Sequence, residues 1–174
     1  MVIARIRRVV YGTKVSLART IGYSVYYIVF SLLVISSSFF IQIPYEYFVA
    51  YAAMFFAAFY FAYRFARTRL VFWKGEDGAI YSKGGLPIYL TYVVGLILRL
   101  TIGYIFIGPS YFDFNLAQTA PLGPVATLAT IVTDLILVLG TGLLVGRNMH
   151  ILTEYRAIKA GKKEIIPKSR DAEA

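Results

Sequence analysis

The chain has 174 residues, of which 59% are hydrophobic and 16% charged, and its formal net charge is +9. Because soluble domains are only about 45–50% apolar, this composition indicates a polytopic membrane protein with room for about four spans. The chain has no cysteine and a single histidine, His150. These counts exclude disulfides, thiolate metal sites and a multi-histidine metal or haem site within one chain.

Residues 1–20 form a basic segment that carries no acid. Apolar residues recur in it at roughly helical spacing, which fits an interfacial amphipathic helix. The same segment also fits a basic flank that only sets the orientation of the chain in the membrane. Residues 21–43, which contain no charge, are the first predicted span.

The second predicted span, residues 47–65, is rich in aromatic residues with alanines between them. The loop over residues 64–85 is the first substantial aqueous segment. Two short β-prone runs in this loop flank the sequence Gly75-Glu76-Asp77-Gly78. Because β-prone runs on either side of an Asp-Gly turn are typical of a hairpin, the loop predicts a small β-hairpin.

The third and fourth predicted spans are residues 86–108 and 122–146, and residues 147–174 predict a basic cytosolic helix followed by a charged tail. The expected fold class is all-α. It is a polytopic four-transmembrane-helix bundle over residues 21–146, with a short cytosolic β-hairpin between the second and third spans.

The distribution of basic residues predicts the topology. Four spans place both termini on one side, and 17 of the 18 lysines and arginines lie in the segments on that side. By the positive-inside rule, both termini are expected in the cytoplasm of a cell-membrane protein.

Arg99 and Asp134 are the only charged residues in the third and fourth spans, respectively. An arginine at mid-membrane costs about 2.5–3.5 kcal/mol on insertion scales, so a partner is expected. The short outer loop predicts that the two spans are antiparallel neighbours. Side chains tilt toward the N-terminus of their own helix, so the two charged groups converge in depth. The sequence therefore predicts an intramembrane ion pair between Arg99 and Asp134.

Small residues around these charges predict close helix packing. Gly95 and Gly103 lie four residues before and after Arg99, and Gly142 and Gly146 form a small-xxx-small pair on the fourth span.

Three functions fit this pattern. The first is a non-enzymatic scaffold or accessory subunit of a membrane complex, in which the ion pair is structural. The alternative is a small oligomeric transporter or channel that uses Arg99 and Asp134 in a polar pathway, although arginine is a poor proton relay. The third is the recruitment of a peripheral partner through the basic loops. No catalytic, cofactor-binding or metal site is expected. The expected partners are the lipid bilayer, anionic lipid headgroups, and either another membrane protein or further copies of this chain; no nucleic acid partner is expected.

The stretch Arg69…Asp77-Gly78-Ala79-Ile80-Tyr81-Ser82-Lys83-Gly84-Gly85, followed by Tyr92 and Arg99, resembles the central part of CcdC-like small integral membrane proteins. The resemblance implies a link to cytochrome c maturation, by name and association, although a chain without cysteine does not fit a thiol relay. The positions that it implies as family positions are Arg69, Gly78, Lys83, Gly85 and Arg99.

Overall fold

The computed structural model describes residues 12–40, 43–75, 77–107 and 123–163. Its helices are α1 (Leu17–Phe40), α2 (Glu46–Arg69), α3 (Leu86–Ile107) and α4 (Pro124–Lys159), and its strands are β1 (Thr13–Lys14), β2 (Val71–Lys74) and β3 (Ile80–Lys83). All four helices are long and apolar enough to cross a membrane, which indicates a multi-pass membrane protein. The predicted bundle of four long apolar helices with a hairpin is confirmed.

Several helices extend beyond the predicted spans. The helix α1 begins four residues earlier, and α2 continues to Arg69. The helix α4 joins the fourth span to the predicted cytosolic helix without a break. Basic residues in the last turns of α2 and α4 favour these extensions, because they complement the negative end of the helix dipole. With 36 residues, α4 is about 54 Å long and exceeds a hydrocarbon core of about 30 Å.

The hairpin is part of a three-stranded antiparallel sheet with the order β1-β3-β2. The strand β1 comes from the basic N-terminal segment, and Thr13 pairs with Ser82. An amphipathic helix therefore does not cover residues 13 and 14, whereas residues 1–11 lie outside the described part of the chain, as do residues 164–174 of the predicted tail.

The helix α4 is the centre of the bundle, and α1, α2 and α3 all pack against it. Within its most apolar stretch 72% of the residues are buried, against 6% for α1 and 17% each for α2 and α3. The three outer helices therefore turn most of their apolar surface outward, which is expected where lipid is the solvent.

The sheet caps one end of the bundle, which we call the sheet end. Val15, Ala66, Leu70 and Ile151 form a buried cluster there, and Phe72 and Ile80 of the hairpin pack against it. Because α4 is longer than a membrane span, its last turns provide the apolar surface on which the sheet rests. The connections from β1 to α1, from α2 to β2 and from β3 to α3 all lie at this end.

Candidate functional site

The middle of the bundle contains an ion pair between Arg99 of α3 and Asp134 of α4. The Arg99 Nη2 atom lies 3.7 Å from Asp134 Oδ1, and the two side chains are only 10% and 3% exposed. Arg99 lies about 12 Å from the end of α3, and Asp134 lies about 15 Å from the start of α4, at 1.5 Å per residue. The predicted pair is therefore present, at the depth that the antiparallel arrangement predicts.

The ion pair is surrounded by groups from α2 and α4. The buried hydroxyl of Tyr51 on α2 lies near the Asp134 carboxylate. The Thr130 hydroxyl donates to the Ala126 carbonyl at 2.9 Å, and the Thr133 hydroxyl donates to the Thr130 carbonyl at 2.8 Å. Both threonine hydroxyls therefore donate to carbonyls of their own helix.

Glycines allow the α2 backbone to approach α4. A Cβ atom on Gly142 would lie 2.6 Å from the Phe55 carbonyl oxygen, and a Cβ on Gly146 would overlap the Phe59 carbonyl. The predicted small-xxx-small pair thus lies at the contact with α2.

The two glycines on either side of Arg99 lie on α3. A Cβ on Gly95 would lie 3.3 Å from Ile136 Cγ2 on α4, which is a tight but not impossible contact. Gly103 is buried. At Gly95, α3 therefore lies close to α4, on the same face of α3 that bears Arg99.

Two hydrogen bonds that were not predicted join α1 to α4. Ser31 Oγ and Thr141 Oγ1 are 2.5 Å apart, and Asn148 Nδ2 donates to Ser24 Oγ at 3.1 Å. Seven residues separate the two members on each helix, which is the spacing of a seam between antiparallel neighbours. That shared spacing is the sequence signal from which the contact could have been predicted.

The loop positions that resemble a family pattern have identifiable structural surroundings. Gly78 has φ of +72° in the hairpin turn, and Gly85 has φ of +79° immediately before α3, conformations that favour glycine. Lys83 is exposed at the end of β3, and the exposed Arg69 ends α2 with its guanidinium 6.0 Å from the Phe65 ring. The structure does not bring these four residues together with the buried ion pair.

The hairpin turn is organised by Asp77. The Ala79 N–H donates to Asp77 Oδ1 at 3.1 Å, and this hydrogen bond is the main cause that lowers the pKa of Asp77. Lys14 Nζ lies 3.3 Å from Asp77 Oδ2, and the Tyr81 hydroxyl donates to the same oxygen at 3.2 Å. Asp77 thereby ties β1 to the hairpin.

Within the described ranges, no group of three or more His, Cys, Asp or Glu side chains is placed to hold a metal ion. Comparison with protein-family models, with curated proteins and with solved structures finds no match to this chain. The resemblance to CcdC-like proteins therefore stays a prediction.

Proposed function

We propose that this protein is a non-enzymatic scaffold or accessory subunit of a membrane complex, and that the Arg99–Asp134 pair fixes α3 on the central helix. The burial of both charged side chains carries this proposal. Two cavities lined by described residues lie at opposite ends of the bundle, and neither Arg99 nor Asp134 lines either of them. Three buried polar residues of α4, Asp134, Thr141 and Asn148, each contact a polar side chain of α3 or α1, as interhelical polar contacts do in membrane proteins.

The decisive experiment replaces both charges by apolar residues of similar volume, in the double variant Arg99→Met with Asp134→Leu. Replacing a buried ion pair in this way is often neutral or stabilising, whereas removing one partner leaves an uncompensated charge. We expect the double variant to reach wild-type abundance and to assemble into the same particle on native gels. Each single variant should lose both properties.

A transport function remains the second candidate, and the polar series along α4 favours it: Thr130, Asp134, Thr141 and Asn148 are all buried. Purified protein in proteoliposomes with an ion-sensitive dye distinguishes the two functions. If wild-type vesicles conduct ions and the folded double variant does not, transport replaces the scaffold proposal.

We propose further that the sheet end faces the cytoplasm, in a cell membrane. The support is the positive-inside rule, because 12 of the 13 lysines and arginines among the described residues lie toward that end. The chain has no cysteine, so a single Lys83→Cys variant gives an unambiguous labelling site. Intact cells should protect this cysteine from an impermeant maleimide, and inverted vesicles should expose it; labelling of intact cells would reverse the assignment.

A further inference from the structure

A cavity of about 160 Å³ lies at the sheet end, where β1, the first turns of α1 and α3, and the second half of α4 meet. Its polar lining includes Arg19, Arg147, Asn148 and Tyr89, and it contains no acidic side chain. The volume is below the roughly 300 Å³ at which sites for drug-sized ligands begin. The cavity therefore fits a small chemical group better than a whole organic ligand.

Arg147 is the unusual member of this lining. Its Nη2 atom donates to the Gly84 carbonyl at 3.3 Å, and its buried Nε has no hydrogen-bond partner. No acidic side chain of the described residues lies within ion-pairing distance of Arg147. A guanidinium has five N–H donors, and a largely buried cation without a counter-charge is costly. Arg147 thus has donors and a charge that its protein neighbours do not satisfy.

The backbone before α3 is shaped around this guanidinium. Gly84 and Gly85 have φ values of +112° and +79°. A Cβ on Gly85 would overlap the Arg147 side chain, so any larger residue would displace it. The arginine is consequently held beside the N-terminus of α3.

Two helix N-termini add positive potential at the same place. The first turns of α1 and α3 contain no acid, and the N-terminus of a helix carries about half a positive charge. Ser16, immediately before α1, also lines the cavity, as does Arg19. The third basic residue of the lining, Lys14, forms an ion pair with Asp77. Among the described residues, no acidic side chain pairs with Arg19 or Arg147, so these are the two cations of the lining without a protein counter-ion. The combined field favours an anion.

We propose that this cavity binds a phosphate group, with Arg147 as the buried anchor and Arg19 as the second cation. Phosphate matches the planar fork of arginine, and its several oxygens can accept from both arginines at once. The phosphate group belongs either to the headgroup of an anionic lipid or to a soluble phosphate. Both ligands present the same phosphate oxygens to the two arginines. The lining tyrosines Tyr23, Tyr27 and Tyr89 are typical of the level at which lipid headgroups lie.

The test uses the full chain purified in detergent, with Arg147→Gln and Arg19→Gln as cavity variants. Arg156→Gln is the matched control, because Arg156 is exposed on the same helix and outside the cavity. Native mass spectrometry measures retention of phosphatidylglycerol, with zwitterionic phosphatidylcholine for comparison. Inorganic phosphate is added in a separate arm, in which melting temperature and lipid displacement are measured.

We expect one retained phosphatidylglycerol per chain, weakened about tenfold or more by Arg147→Gln, because a charge-assisted hydrogen bond is lost. Arg19→Gln should weaken retention about threefold, since solvent screens this cation. Arg19 is exposed, so this variant is expected to fold. Arg156→Gln should leave retention unchanged. If inorganic phosphate raises the melting temperature of the wild type but not of Arg147→Gln, and lipid is not retained, the ligand is a soluble phosphate. Equal losses in all three variants, or no binding of either probe by the wild type, would overturn the proposal.

Discussion

The middle of the bundle and its sheet end each contain a largely buried arginine, and the two are accommodated differently. Arg99 faces the carboxylate of Asp134 on the neighbouring helix. Arg147, thirteen residues further along α4 than Asp134, faces a backbone carbonyl and a cavity. At mid-membrane a counter-charge can come only from the protein, because hydrocarbon supplies no anion. At the end of the span, a headgroup or a soluble anion can supply it.

The largest expected effect comes from breaking the mid-bundle pair with Asp134→Leu. Arg99 would then remain buried without its carboxylate, which costs about 3–5 kcal/mol. That loss is a large fraction of the roughly 5–15 kcal/mol by which a native domain is stable. We expect abundance in membranes to fall severely and the melting temperature in detergent to drop by many degrees.

The exchange of the two charges, Arg99→Asp with Asp134→Arg, tests whether the pair itself is responsible. The exchanged pair should recover a substantial part of the abundance that either single change removes. Glu46→Gln serves as the control, since Glu46 is an exposed acid in the first turn of α2. If Asp134→Leu behaves like Glu46→Gln, the mid-bundle arginine does not need its partner and the comparison fails.

A smaller effect is expected from Gly146→Ala, which tests the close contact between α2 and α4. The added Cβ would overlap the Phe59 carbonyl, and overpacking of this kind costs about 1–3 kcal/mol. Gly22→Ala in α1 is the matched control, because nothing lies within 4 Å of its added Cβ. Thermal unfolding in detergent should show a lower melting temperature for Gly146→Ala and an unchanged or higher one for Gly22→Ala. Equal shifts in melting temperature for the two variants would show that α2 and α4 can move apart at Gly146 without loss of stability.

The Ser31–Thr141 hydrogen bond should contribute less still. Double-mutant cycles for interhelical hydrogen bonds in membrane proteins average about 0.6 kcal/mol, because the unfolded chain in the membrane also finds partners. The cycle Ser31→Ala, Thr141→Val and both together should give a coupling near that value by denaturant titration. A coupling near zero would show that this contact aligns the helices without stabilising them.

The four helices and the Arg99–Asp134 pair could be predicted because local sequence determines them. Each span is a long apolar run, and the two charges are the only ones in their spans, so the depth of each could be calculated. The helix that would meet Gly142 and Gly146 could not be predicted, since hydropathy does not distinguish a face toward lipid from a face toward protein. The central position of α4 follows from tertiary packing alone.

The sheet end was harder to predict, because its features come from distant parts of the sequence. A two-residue strand such as β1 has no detectable pattern of its own, and Thr13 pairs with Ser82 across 69 residues. The cavity likewise needs Arg19, Gly85 and Arg147 to converge. The hairpin itself was predictable, since the Asp-Gly turn and its β-prone flanks are contiguous.

The smallest predicted effect concerns the ion pair of Lys14 with Asp77 at the sheet end, where both groups are exposed. The folded pKa of Asp77 is lowered, first by the Ala79 hydrogen bond and then by Lys14 and Tyr81. Its ionised form therefore stabilises the hairpin at pH values above the unfolded pKa of about 3.9, and this stabilisation is lost as pH falls through the lower folded value. Trp73, the single tryptophan, stacks on Tyr81 with ring centroids 5.7 Å apart and reports on this turn.

The emission maximum of Trp73 should stay constant from neutral pH to about pH 5 and move to longer wavelength in more acidic solution. Asp77→Asn should abolish this acid step, because an amide does not titrate and no longer holds Lys14 by charge. Glu154→Gln is the control, since Glu154 lies on α4 and pairs with Lys163; its acid step should match that of the wild type. If the acid step persists in Asp77→Asn, a carboxylate other than Asp77 causes it. If the acid step is lost in Asp77→Asn and kept in Glu154→Gln, the exposed ion pair of Lys14 with Asp77 is coupled to local order at the sheet end.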